Sequence, residues 1–74
     1  MTTTTIGIEG MMCGMCEAHV NEAIRRNFNV RRVKANRRRK SCVIVSAEPL
    51  DEARLRAVIA ETGHTPLSVD VTAS

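Results

Sequence analysis

A chain of 74 residues with a single aromatic side chain, Phe28, and 43% apolar residues can fill one small core, but it cannot wall off a deep pocket around an organic substrate. Three cysteines, an odd count, argue against a secreted disulfide framework and for thiols kept reduced. The net charge of +3 conceals an asymmetry: residues 25–40, RRNFNVRRVKANRRRK, hold nine of the eleven basic residues and none of the eight acidic ones, which concentrates positive potential in one part of the molecule.

No apolar run approaches the roughly 18 residues of a membrane span. The opening MTTTTIGIEG has neither the basic nor the apolar region of a signal peptide. The expectation is a cytoplasmic protein, not membrane-embedded, whose residues 1–74 form a single domain.

Along the chain, TTTTIGIEG predicts a strand in which Ile6 and Ile8 alternate with polar positions. After GMMCGMC, the segment CEAHVNEAIRRNF places Val20, Ala23, Ile24 and Phe28 at helical spacing, which predicts an amphipathic helix starting near Cys16. VRRVKAN and SCVIVSA read as two strands joined by NRRRK. On the second, Cys42, Ile44 and Ser46 share one face and Val43 and Val45 the other, so Cys42 reads as an inert, half-buried small apolar residue. Beyond Pro49, LDEARLRAVIAETG aligns Leu55, Val58 and Ile59, with Ala53 at the margin. It also pairs Glu52 with Arg56 at i,i+4 and ends at Gly63. LSVDVT, with Leu67, Val69 and Val71 alternating, closes the chain as a strand.

The order β-α-β-β-α-β predicts an α+β, ferredoxin-like open-faced sandwich: a four-stranded antiparallel sheet with two helices on one face. The other sheet face is expected to meet solvent, to which the Thr, Lys and Ser between the apolar strand positions are suited.

The chemistry concentrates at Cys13 and Cys16. Cys13 falls in the first loop and Cys16 at the opening of the helix, where unsatisfied N–H groups and the helix dipole favour a thiolate. Gly10 and Gly14 let the loop bend tightly enough for the sulfurs to converge. Two thiolates with nothing else suit a soft ion of low coordination number, Cu(I) first among them. A tetrahedral zinc site needs four ligands, and the chain offers only Cys13, Cys16 and His19 nearby, with Cys42 and His64 distant in sequence.

GMMCGMCEAHVNEAI resembles the signature of the heavy-metal-associated domain, the G-M-x-C-x-x-C loop of soluble copper chaperones and of the amino-terminal domains of copper-transporting P-type ATPases. The correspondence runs through Gly10, Met11, Cys13 and Cys16, continues over HVNEAI, NVRRVKAN and AVIAETGHTP, and so covers nearly the whole chain. The resemblance implies a metal-binding protein and not an enzyme. Cu(I) would be held between Cys13 and Cys16, with Met11 tucked under the loop; Zn(II), Cd(II) and Hg(II), which relatives also serve, are the alternatives. It further implies handover by stepwise thiolate exchange to a like domain. The implied partner is a metal-transporting P-type ATPase or its soluble metal-binding domain, with a metal-bridged homodimer as an alternative.

The chain departs from its relatives at Gly63-His64, where many of them carry Gly-Tyr or Gly-Lys. His64 therefore stands as a third ligand, a proton-dependent charge or a surface histidine at a helix end. Met12 and Met15 read as loop-lid packing ahead of metal contact, and His19 as solvated. Relatives that handle zinc and cadmium often add a carboxylate beside the cysteines. None lies between Gly10 and Cys16, although Glu9 precedes and Glu17 follows.

Two rival readings remain open. A thiol-disulfide redox protein using Cys13 and Cys16 would also place C-x-x-C at a strand–helix junction. It usually carries a proline inside the motif, however, and needs more chain after Pro66 than is present. A nucleic-acid binder is suggested by RRVKANRRRK, but the sheet supplies no aromatic residue for base stacking, so no specific nucleic acid is expected. The basic residues 31–40 fall on the hairpin, either opposite the cysteine loop or beside it. They would act there as a steering face toward an acidic partner or as a solvated surface.

Overall fold

Alternation sets the first strand. In β1, Thr2–Glu9, the side chains of Thr2, Thr4, Ile6 and Ile8 turn inward and are buried, and the residues between them are partly exposed. The remaining elements of the computed structural model, which describes residues 1–73, are α1 (Gly14–Asn27), β2 (Arg32–Asn36), β3 (Ser41–Ser46), α2 (Glu52–Glu61) and β4 (Thr65–Ala73). The sheet runs β2-β3-β1-β4 with every neighbouring pair antiparallel, the ferredoxin-like order expected from the sequence.

The register stacks the inner face. Ile6 pairs with Cys42 and Thr4 with Ile44 across β1 and β3, while Ala35 and Val33 of β2 oppose the same two β3 residues. Val20 and Ile24 of α1, one helical turn apart, and Leu55, Val58 and Ile59 of α2 close over this face. Ile6, Ile8, Val20, Ile24, Ile44, Leu55 and Ile59 are fully buried. Burial of this kind contributes roughly 1.5–3 kcal/mol per large apolar side chain, which is how so small a chain offsets its ordering entropy.

Side chains lock the elements together at their ends. Asp51 caps α2 by accepting the Arg54 N–H at 3.2 Å, and Gly63, at φ +89°, takes the left-handed conformation that ends the helix. Asn21 Oδ1 on α1 accepts the Ala35 N–H at 2.8 Å, fastening edge strand β2 to the helix layer. Arg54 lies over the Phe28 ring at 5.7 Å. The predicted Glu52–Arg56 pair forms at 3.2 Å, and Arg56 also donates to the Leu67 carbonyl at 2.7 Å.

Several expectations need correction. Helix α1 begins at Gly14, two residues before Cys16. Thr2, Thr4 and Ser46 face inward and are buried, so polar strand residues are not confined to the solvent face. Cys42 is fully buried, not half-buried, because β3 is an inner strand and Cys42 joins the core cluster on its packed face. Ala53 is exposed, two residues before the buried Leu55 and so about half a turn away from the stripe it begins. Leu67 and Val71 of β4 are 42% and 52% exposed, since β4 lies at the sheet edge and a register shift opposite Gly7 displaces its first residues. No helix among the described residues is long and apolar enough to cross a membrane.

Candidate metal centre

Both cysteines sit on the N-terminus of α1. Cys13 is the N-cap, with extended backbone, and Cys16 lies in the first turn. The Cys13 carbonyl accepts the N–H groups of Cys16 at 3.1 Å and Glu17 at 3.3 Å, which starts the helix. Its side chain makes no cap hydrogen bond. The position that Ser, Thr, Asp or Asn would fill to gain about 1 kcal/mol is given to a thiol instead.

The result is a pair of sulfurs 3.5 Å apart, Cys13 exposed and Cys16 half-buried. The Cys13 thiol is held below its ordinary pKa, first by the backbone N–H of Cys16, then by the Cys16 side chain and the N–H of Met15, with Arg37 adding a favourable charge. Amide dipoles pointing at the sulfur stabilise the anion, and water around it keeps the burial penalty small. Cys42 behaves oppositely: burial pushes its thiol up to about 12, so it stays protonated and inert.

The surroundings come from three connections. Met11 is 7% exposed and joins the core cluster directly beneath the loop, as the resemblance implied. Gly10, at φ +101°, turns the chain out of β1, and a Cβ there would meet His64 Nδ1 at 3.4 Å. His64 is thereby placed at the same end of the molecule, beside the β1–α1 loop. The β2–β3 turn arrives from the other side: Ile8 N–H donates to the Lys40 carbonyl at 2.7 Å, and the Arg37 N–H to Glu17 Oε2 at 2.7 Å. The basic turn therefore lies beside the cysteine loop.

Met12 and Met15 are 84% and 83% exposed, so neither packs as a lid over the loop. His19 is solvated as expected; with Met15, Cys16, Ala18 and Glu22 it lines a shallow groove along α1. Among the described residues, no group of three or more His, Cys, Asp or Glu side chains is arranged to hold an ion. His19, His64 and Cys42 thus do not complete a closed cage around the two sulfurs.

Sequence reasoning named Glu17 only as following the cysteines and did not single out Arg37 beside them. The signal was available in the order of the elements, since an antiparallel β-α-β-β-α-β sheet brings the β2–β3 turn to the end where β1 hands over to α1.

The fold agrees with the comparisons. Residues 5–65 match the family model of the heavy-metal-associated domain. Solved structures share the fold. A yeast copper transporter domain, CCC2A, described in apo and Cu(I)-loaded states, superimposes with a TM-score of 0.79 at 14% identity over 99% of this chain and 97% of that one. The CopZ metallochaperone gives 0.78 at 18% identity over 88% and 98%. A protein described for crosstalk between Cu(I) and Zn(II) homeostasis gives 0.75 at 22% identity over 88% and 94%. No curated protein matches the chain in sequence.

Proposed function

The chain belongs to the heavy-metal-associated domain family, a metal-binding module and not an enzyme, and from that premise we propose that residues 1–74 act as one domain that carries Cu(I) between Cys13 and Cys16 and passes it to a partner. The observation that carries this reading is the pair of sulfurs 3.5 Å apart, Cys13 exposed and Cys16 half-buried, which among the described residues belongs to no group of three or more His, Cys, Asp or Glu side chains. Soft thiolates select Cu(I), which accepts so few ligands, while harder ions demand more.

With metal–sulfur bonds of about 2.3 Å, sulfurs 3.5 Å apart subtend roughly 100° at a shared ion. A straighter sulfur–metal–sulfur arrangement requires Cys13 to swing outward, and its exposure outside the helical turn leaves room for that. The bent angle also suits tetrahedral Zn(II), but water would then fill two of four positions. That arrangement is weaker than a closed structural zinc site, and so Cu(I) is preferred over Zn(II), Cd(II) and Hg(II).

Handover follows from under-coordination. A partner thiolate adds to the ion from the exposed Cys13 side, giving three sulfur ligands. One of the chain's own thiolates then leaves with its electron pair, and a second partner thiolate adds and displaces the other, which leaves in the same way. At no point is the ion stripped bare, which keeps the barrier low. The partner in this proposal is the soluble metal-binding domain of a metal-transporting P-type ATPase, met in the cytoplasm.

The test is Cu(I) against Zn(II) competition with a chromophoric chelator, on the native chain and on Cys13→Ser/Cys16→Ser. One Cu(I) per chain, lost in the double variant, is expected; equal retention by that variant overturns the site. Sedimentation of the loaded chain across concentrations separates a monomeric carrier from a metal-bridged homodimer.

A further inference from the structure

Arg37 belongs to the β2–β3 turn, yet α1 fixes where it stands. Its backbone N–H donates to Glu17 Oε2 at 2.7 Å, and its Nη1 lies 3.6 Å from Glu17 Oε1. The same Nη1 approaches Gly14 so closely that a Cβ built there would meet it at 3.4 Å. Gly14 follows Cys13 directly and is the first residue of α1. A guanidinium from a different element is therefore held against the helix terminus that carries both sulfurs, and Gly14 leaves the space it occupies. The backbone anchor to Glu17 does not depend on the Arg37 side chain, so that side chain can be exchanged without untying the turn.

We propose that Arg37 is the fixed counter-charge of the metal centre and sets its preference for a monovalent over a divalent ion. This rests on the reading of Cys13 and Cys16 as the ligands. Two thiolates around Cu⁺ leave one negative charge, which the guanidinium offsets. Two thiolates around Zn²⁺ are already neutral, and the same guanidinium then leaves uncompensated positive charge beside the ion. Glu17 supplies a carboxylate nearby, but the partial positive charge of the α1 terminus counts on the side of Arg37. Arg37 is a positioning residue here, touching neither sulfur nor metal. With its side chain 42% exposed, solvent screens the effect to a few-fold.

The experiment compares the full chain with Arg37→Gln, Arg37→Lys and, as an equal loss of charge on the same turn, Arg38→Gln. Chelator competition should show Arg37→Gln binding Cu(I) about 2–5-fold more weakly with Zn(II) affinity unchanged or raised, Arg37→Lys restoring most of the difference, and Arg38→Gln having little effect. A shift of both metals by the same factor, or equal effects of Arg37→Gln and Arg38→Gln, overturns the proposal. A second readout needs no metal: the ratio of Cys13 alkylation rates with anionic iodoacetate and neutral iodoacetamide. That ratio should fall in Arg37→Gln and recover in Arg37→Lys. If the ratio is unmoved while Cys13→Ser/Cys16→Ser still abolishes copper binding, the counter-charge is wrong and the metal site stands. If the ratio moves but the double variant keeps its copper, the cysteine site is wrong and the charge placement stands.

Discussion

The carboxylate of Glu17 accepts the backbone N–H of Arg37 at 2.7 Å, joining the first turn of α1 to the β2–β3 turn across twenty residues of sequence. A hydrogen bond to a charged acceptor, discounted for its partial exposure, contributes on the order of 1 kcal/mol. Glu17→Ala is expected to lower the free energy of urea unfolding by about that amount with an unchanged m-value, and Glu17→Gln, which keeps an acceptor, by less than half of it. Equal stability of all three chains would show that the turn is not tied to the helix.

Met11 and its sequence neighbours should respond in opposite ways. Met11 is buried beneath the cysteine loop, so Met11→Ala is expected to cost about 2–4 kcal/mol and to lower the melting temperature markedly. Met12→Ala and Met15→Ala, at fully solvated positions, should stay within about 0.5 kcal/mol of the native chain in the same thermal scans.

Thr4 turns a hydroxyl into the core where, among the described residues, it has no hydrogen-bond partner. An unpaired buried hydroxyl opposes folding, and valine fills almost the same volume without it. Thr4→Val is therefore expected to stabilise the protein by about 1 kcal/mol in denaturant unfolding. Loss of stability in this variant would indicate that the hydroxyl is satisfied in solution.

Cys42 predicts an alkaline limit. Burial raises its pKa from 9.0 to about 12, so between those values the unfolded chain gives up the thiol proton and the folded chain keeps it. The folded state then binds more protons. The stability from the buried neutral thiol is complete below pH 9 and is lost as pH rises toward 12, at up to about 1.4 kcal/mol per pH unit. The difference in unfolding free energy between the native chain and Cys42→Ala should shrink steadily across that window. A constant difference from pH 8 to 11 would contradict the assignment.

The sequence disclosed what local periodicity can encode. Ile6 and Ile8 announced β1, Val20 and Ile24 the buried side of α1, and the spacing of Cys13 and Cys16 at a strand–helix junction marked the candidate centre. Threonine misled because its β-branched body suits a strand's interior as well as its surface; Thr2 and Thr4 took the inner positions that alternation with Ile6 and Ile8 required. The start of α1 was hidden because Cys13 occupies the cap without the hydrogen bond that would mark it. The placement of Arg37 depends on two segments meeting in space, which no window of sequence reports.

The β1–α1, β2–β3 and α2–β4 connections surface together at one end, while the packed isoleucines lie beneath them. Met12, Met15, Arg38, Arg39 and Lys40 at that end are all exposed. Mutation can therefore redraw the landscape an approaching domain encounters while the interior registers almost none of it. The outward chemistry of that end and the foldability of the chain are therefore separable traits, and these exposed positions are free to diversify at little thermodynamic risk.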